Sequence, residues 1–146
     1  MIGLSSSCLN CKSALTTLRL RFFDYARVYD TNQKNNPWWY YFPSLMVNCA
    51  GDMVAGFSGS GATNYISALY TWHLGNGVTL SQPRIFQAGT TNSIATRWGD
   101  FSATTLDPTD DWTFWTVQEY AAALQSIGGS LVNEWKTAIA GIRAGP

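Results

Sequence analysis

The hydrophobic positions of this chain come in short runs separated by polar turns. The clearest run, residues 112–120, reads Trp-Thr-Phe-Trp-Thr-Val-Gln-Glu-Tyr. It is β-branched and aromatic throughout and partly alternating, which predicts a strand. Comparable runs predict strands at 42–47, 53–58, 65–74, 84–88, 101–106 and 135–143, with two more at 15–21 and 27–30. One stretch is ambiguous. Residues 121–127 and 131–140 hold enough Ala and Leu to be helical, but Gly128-Gly129 separates them and Trp135-Lys136-Thr137 favours a strand. The expectation there is a loop or one helical turn, then a final strand.

The runs repeat. Trp39 and Trp98 lie 59 residues apart, and the same offset pairs Phe42 with Phe101, Val47 with Leu106, Asn48 with Asp107 and Asp52 with Asp111. In each copy an aromatic-led strand enters a polar turn, Asn48-Cys49-Ala50-Gly51-Asp52 or Asp107-Pro108-Thr109-Asp110-Asp111. Asn and Asp side chains bond their own backbone in Asx turns, and Pro and Gly set the unusual dihedrals. A second strand follows, so each copy reads as a hairpin with further strands behind it. Three or four strands in roughly 50–60 residues is the size of a propeller blade. The predicted fold is therefore all-β, with antiparallel sheets stacked as a partial β-propeller of about two to three blades. Blade-like units fall near 38–96 and 97–146, within a domain from 15 to 146 that also takes in the two strands of a preceding partial blade. Residues 1–14 are expected to be poorly structured.

Composition narrows the reading. Hydrophobic residues make up 46% and charged residues 12%, with seven each of Trp, Tyr and Phe. The charged share is about half the usual one, too little for long solvent-facing helices and the opposite of a disordered segment. Nine basic and nine acidic residues give no net charge and no basic patch, so a nucleic-acid partner is not expected. Apolar stretches are interrupted every few residues, so no membrane span is expected. Residues 1–17 carry Lys12 as their one charge and no apolar core of the kind a secretory signal has. Cys8-Leu9-Asn10-Cys11 is a lone C-x-x-C without a second pair, and His73 is the one histidine. Neither a metal site nor a cofactor is predicted from that set.

Residues 97–120 read Arg-Trp-Gly-Asp-Phe-Ser-Ala-Thr-Thr-Leu-Asp-Pro-Thr-Asp-Asp-Trp-Thr-Phe-Trp-Thr-Val-Gln-Glu-Tyr. Upstream stands Pro43-Ser44-Leu45-Met46-Val47-Asn48-Cys49-Ala50-Gly51-Asp52, and downstream Trp135-Lys136-Thr137-Ala138-Ile139. Together these segments resemble the C-terminal end of bacterial secreted proteins with a sialidase-like, BNR-type β-propeller, over roughly residues 37–143. The resemblance implies an extracellular or cell-envelope parent protein whose remaining blades lie outside this chain. It departs at one motif: sialidase Asp-boxes have the form S-x-D-x-G-x-T-W, and residues 105–112 here lack the Gly and the Thr.

In a propeller, loops that lead into the inner strands line one face, where ligands bind. Here those would be Trp38, Trp39, Tyr40 and Tyr41 in one unit and Arg97, Trp98 and Asp100 in the next, with Glu119 and Tyr120 returning to the same face. Arg97 offers a bidentate grip on an anion, and Asp100 could act as a general acid or base if burial raised its pKa. Tyr120 beside Glu119 resembles a base-activated tyrosine, but neighbours on a strand point to opposite faces. Asp107, Asp110 and Asp111 fit an Asx-stabilised turn better than a calcium loop, and His73 fits a packed or edge position better than a base. Two functions stay open: a non-catalytic propeller binding carbohydrate or another extracellular ligand, and part of a sialidase-like exo-glycosidase. A third reading is an open fragment without independent function; its unpaired blade face is exposed, so the isolated chain is expected to aggregate or self-associate.

Overall fold

The computed structural model describes residues 27–30, 34–77, 79–93 and 97–145. The strand predicted at 15–21, the segment 1–14 and the Cys8–Cys11 pair lie outside them. Seven strands follow one another: β1 (Trp38–Val47), β2 (Met53–Gly61), β3 (Asn64–His73), β4 (Arg84–Gln87), β5 (Ala103–Leu106), β6 (Thr113–Ile127) and β7 (Ser130–Arg143). They form two antiparallel meanders. Sheet A has the order β1-β2-β3-β4 and sheet B the order β5-β6-β7. The all-β, antiparallel expectation is met at this level.

Three local expectations change. Residues 121–127 continue β6 as a strand, because Gly128 and Gly129 form the two-residue turn of a β6–β7 hairpin. Both have positive φ (60° and 84°), the requirement of a turn whose twist matches the flanking strands. Residues 38–41 are not a loop; they are paired through Trp38↔Gly61 to Tyr41↔Ser58 as the first half of β1. Residues 27–30 form no strand, although Val28 packs beside β2 and Asp30 accepts a hydrogen bond from the Trp38 amide at 3.0 Å.

The hairpin turns show how far the repeat extends. Asn48 Oδ1 accepts from the Ala50 amide (3.0 Å), and Asp107 Oδ1 accepts from the Thr109 amide (2.8 Å), the same Asx turn 59 residues on. Beyond that point the copies diverge. Val47 pairs with Met53 across residues 48–52, whereas Leu106 pairs with Phe114 across residues 107–113. The second turn is two residues longer, so Asp52 and Asp111 are not equivalent.

The two sheets pack face to face. Along β2, Val54, Gly56 and Ser58 point toward sheet B, while Ala55 and Phe57 point away. Val54, Phe114 and Ile142 form the apolar core between the sheets, flanked by Met46, Tyr70, Trp72 and Leu106. Burying each such large side chain contributes about 1.5–3 kcal/mol. Ala55, Phe57 and Leu69 form a second core on the far side of sheet A, covered by Val28, Trp38 and Tyr40.

The rest of the interface is polar and fully bonded. Ser44 Oγ lies 2.8 Å from Thr104 Oγ1 and accepts from Gln118 Nε2 at 2.9 Å. Thr104 Oγ1 in turn lies 3.0 Å from Thr116 Oγ1, and the Ser102 hydroxyl sits 2.8 Å from Gln118 Oε1 and 2.9 Å from Phe42 O. Thr116 and Gln118 have no exposed surface, so these bonds replace the water they give up. Gly56 makes the close approach possible: a Cβ there would fall on Thr116 Oγ1 and Gln118 Nε2.

Candidate functional site

The residues singled out in the sequence separate into three groups. Trp38 and Tyr40 are packing residues. Their rings stack 6.4 Å apart, Tyr40 meets Phe57 edge-on at 5.2 Å, and both cover the far core of sheet A. Burial, then the nearby Asp30 charge, push the Tyr40 phenol above its ordinary pKa. The alternation along β1 sends Trp39 and Tyr41 to the other face. Trp39 is exposed, and Tyr41 donates from its hydroxyl to Ser60 Oγ at 3.1 Å. Burial raises the Tyr41 pKa too, partly offset by the Ser60 bond.

The second group holds the 97–101 loop against β6. Glu119 is buried, and its carboxylate accepts two backbone bonds, from Gly99 N at 2.8 Å and Phe101 N at 3.0 Å. A carboxylate takes this role because bonds to an ionised acceptor are about twice as strong as neutral ones. The Glu119 carbonyl accepts from Ser58 Oγ (2.9 Å), and Ser58 Oγ accepts from Trp98 Nε1 (3.2 Å). The Phe42 ring lies where a Cβ on Gly99 would stand, so the 97–101 loop also rests on the β1 bulge. Phe42 adopts φ 53°, an uncommon conformation for an aromatic residue, and its carbonyl faces the Ser102 hydroxyl. The 97–101 loop thus rests on the Tyr41–Phe42 bulge in the middle of β1.

The third group is open to solvent. Arg97 Nη2 donates to Asp100 Oδ2 at 3.5 Å, with side chains 87% and 64% exposed. Such a pair contributes at most about 1 kcal/mol to stability and is free to rearrange around a ligand. With Trp98, Phe101, Glu119 and Trp135 it lines a shallow cleft of about 220 Å³. Tyr120 is half-buried on the strand beside Glu119 and does not line it. Sequence reasoning missed two members, Phe101 and Trp135. Their rings stack with centroids 5.0 Å apart and planes 22° apart, and they remain 51% and 40% exposed. The contact spans two distant segments, and its one trace in the sequence is the Trp that opens the strand predicted at 135–143.

Other chemistry-bearing residues serve structure. Asp110 accepts from Trp112 N and Thr113 N at 2.8 Å each, from Thr113 Oγ1 at 2.8 Å and from Arg143 Nη2 at 3.0 Å. The backbone bonds hold its pKa down at about 2, with the Arg143 charge a smaller cause. Asp107 is lowered as well, first by the Thr109 hydroxyl and then by the Trp115 indole. Among the described residues no group of three or more His, Cys, Asp or Glu side chains converges on a point that could hold a metal ion. His73 ends β3, half-buried, and bridges to Leu80. A wider groove of about 590 Å³ beside the β2–β3 turn, lined by Ser60, Asn64, Asn92 and Ser93 among others, carries no carboxylate, imidazole or cationic side chain among the described residues.

No family model, no curated protein and no solved structure matches this chain.

Proposed function

We propose that this chain is a pair of neighbouring blade-like units of a larger extracellular β-propeller, and that the cleft at Arg97 binds a carbohydrate without transforming it. The observation that carries the binding reading is the exposed Phe101–Trp135 plate set beside the Arg97–Asp100 pair. An aromatic plate offers an apolar surface to a sugar ring, and Arg and Asp offer directional donors and acceptors at its rim. The low overall charge suits a neutral, hydroxyl-rich ligand.

The blade reading is supported by how the sheets meet. Ser44 of β1 contacts Thr104 of β5, and Ser102 contacts Phe42, each sixty positions along the chain. Corresponding strands of successive units thus lie side by side, as they do where one blade stacks on the next. The sialidase-like exo-glycosidase remains a second proposal with less support. Glu119 spends both carboxylate oxygens on loop amides, and Asp100, at the open rim of the cleft, is 64% exposed and paired with Arg97.

A glycan array followed by calorimetry tests the reading. Phe101→Ala or Trp135→Ala is expected to weaken the retained glycan by tenfold or more, and Arg97→Ala to act most on acidic glycans. Retention of no glycan would overturn it. Hydrolysis of an aryl glycoside that disappears in Asp100→Asn would favour the exo-glycosidase instead.

A further inference from the structure

β7 is the edge of sheet B and has no strand on its outer side among the described residues. Its counterpart by order in sheet A, β3, does carry one there: β4 pairs with it through Ala68↔Gln87, Leu69↔Ile85 and Tyr70↔Arg84. At fourteen residues β7 is also a long edge, with neither Pro nor a bulge of its own. The irregularity in the hairpin lies on β6, where Ala121 to Leu124 spans three steps against two from Trp135 to Asn133. Proteins blunt such an edge with Lys, Pro or a bulge, because its unpaired amides and carbonyls template another strand.

The sequence of β7 is self-complementary about Trp135. In an antiparallel pairing of two copies with the two-fold axis at that residue, Leu131 stands opposite the partner's Ile139, and Glu134 opposite the partner's Lys136. Residues directly opposite in an antiparallel pair share a face and interact. Leu131, Trp135 and Ile139 are separated by even steps along a regular strand, so they share the outer face, and they are 65%, 40% and 66% exposed. Pairing would join the two stripes into one apolar band. Shifting the axis by one residue sets Glu134 against its own copy or Lys136 against its own copy. The lysine that guards the edge against other pairings therefore selects this one.

We infer that β7 is a homotypic docking edge, pairing antiparallel with β7 of a second copy to give a continuous six-stranded sheet, β5-β6-β7-β7-β6-β5. Sedimentation velocity of the full chain across concentration tests it, with circular dichroism showing that each variant stays folded. The chain is expected to approach a dimer plateau. Lys136→Glu, which opposes two carboxylates twice per dimer, should weaken association about tenfold or more. Glu134→Lys added to Lys136→Glu should restore it, and the two single variants mixed should associate with each other better than either does alone. Ile139→Asp should abolish the dimer. A monomer at all concentrations, open-ended assembly without a dimer plateau, or a double exchange that fails to restore association would each overturn the inference.

Discussion

Sheet A and sheet B are built from related hairpins, yet only one is closed on both sides. Sheet A has a fourth strand on its edge and an apolar cluster on each face, so that β2 is buried from Val54 to Ser58. Sheet B buries its inner face, and its outer face is covered only around Glu119 and Ala121 among the described residues. That outer side shows Phe101, Trp115, Trp135 and Ile139, between 40% and 66% exposed, and one of its edges is β7. Large exposed apolar groups gathered on one surface mark a place of interaction. Among the described residues sheet A is thus the more enclosed of the two, and sheet B carries the surface to which the proposed binding and pairing are assigned.

The largest way to break this contrast is at the shared core. Phe114→Ala removes a fully buried ring from between the sheets and should cost about 3–5 kcal/mol, read from denaturant unfolding. A loss well below that range would mean that the sheets do not rely on each other. Gly56→Ala comes next. Its methyl group must displace Thr116 or Gln118, with an expected cost of about 1–3 kcal/mol. Gly128→Ala, in a turn with nothing near its Cβ, would be strained only by its positive φ and serves as the comparison.

Glu119→Ala separates the loop from the scaffold. It leaves the Gly99 and Phe101 amides without their acceptor, at about 1–3 kcal/mol, and should speed hydrogen exchange at those two amides while β2 and β3 stay protected. The smallest effect is confined to acid. Asp110 has its folded pKa lowered to about 2 from an ordinary value near 3.8. It therefore stabilises the fold above about pH 4 and loses that contribution as pH falls toward 2. Asp110→Asn should flatten the decline of Tm over that window and leave the neutral-pH profile nearly parallel to the parent's.

The sequence announced the features that depend on neighbouring residues. Asn48 and Asp107 each bond an amide two positions on, so their turns were legible without any tertiary information. The all-β class followed from a shortage of charge and an abundance of aromatic and β-branched residues. The extent of β6 did not, because Ala121, Ala122 and Ala123 favour helix when judged alone; here Ala121 pairs with Trp135 of β7, and Ala122 and Ala123 form the irregularity that leads to Leu124↔Asn133. The run Trp38-Trp39-Tyr40-Tyr41 hid its alternation, since apolar rings on both faces look alike in a sequence. Of the candidate site, Arg97, Trp98, Asp100 and Glu119 were found from one segment, while the Phe101–Trp135 contact exists only once β7 returns beside β6.

The polar seam between the sheets has a consequence for alignment. Apolar surfaces can slide past one another by a residue with little change in contact, as oiled plates do. Ser44, Ser102, Thr104, Thr116 and Gln118 cannot, because each hydroxyl or amide finds its partner at a single offset and would be stranded at the next. That seam works as a vernier. It fixes how far one sheet sits along the other, and with it the distance from the β1 bulge to the loop that carries Arg97.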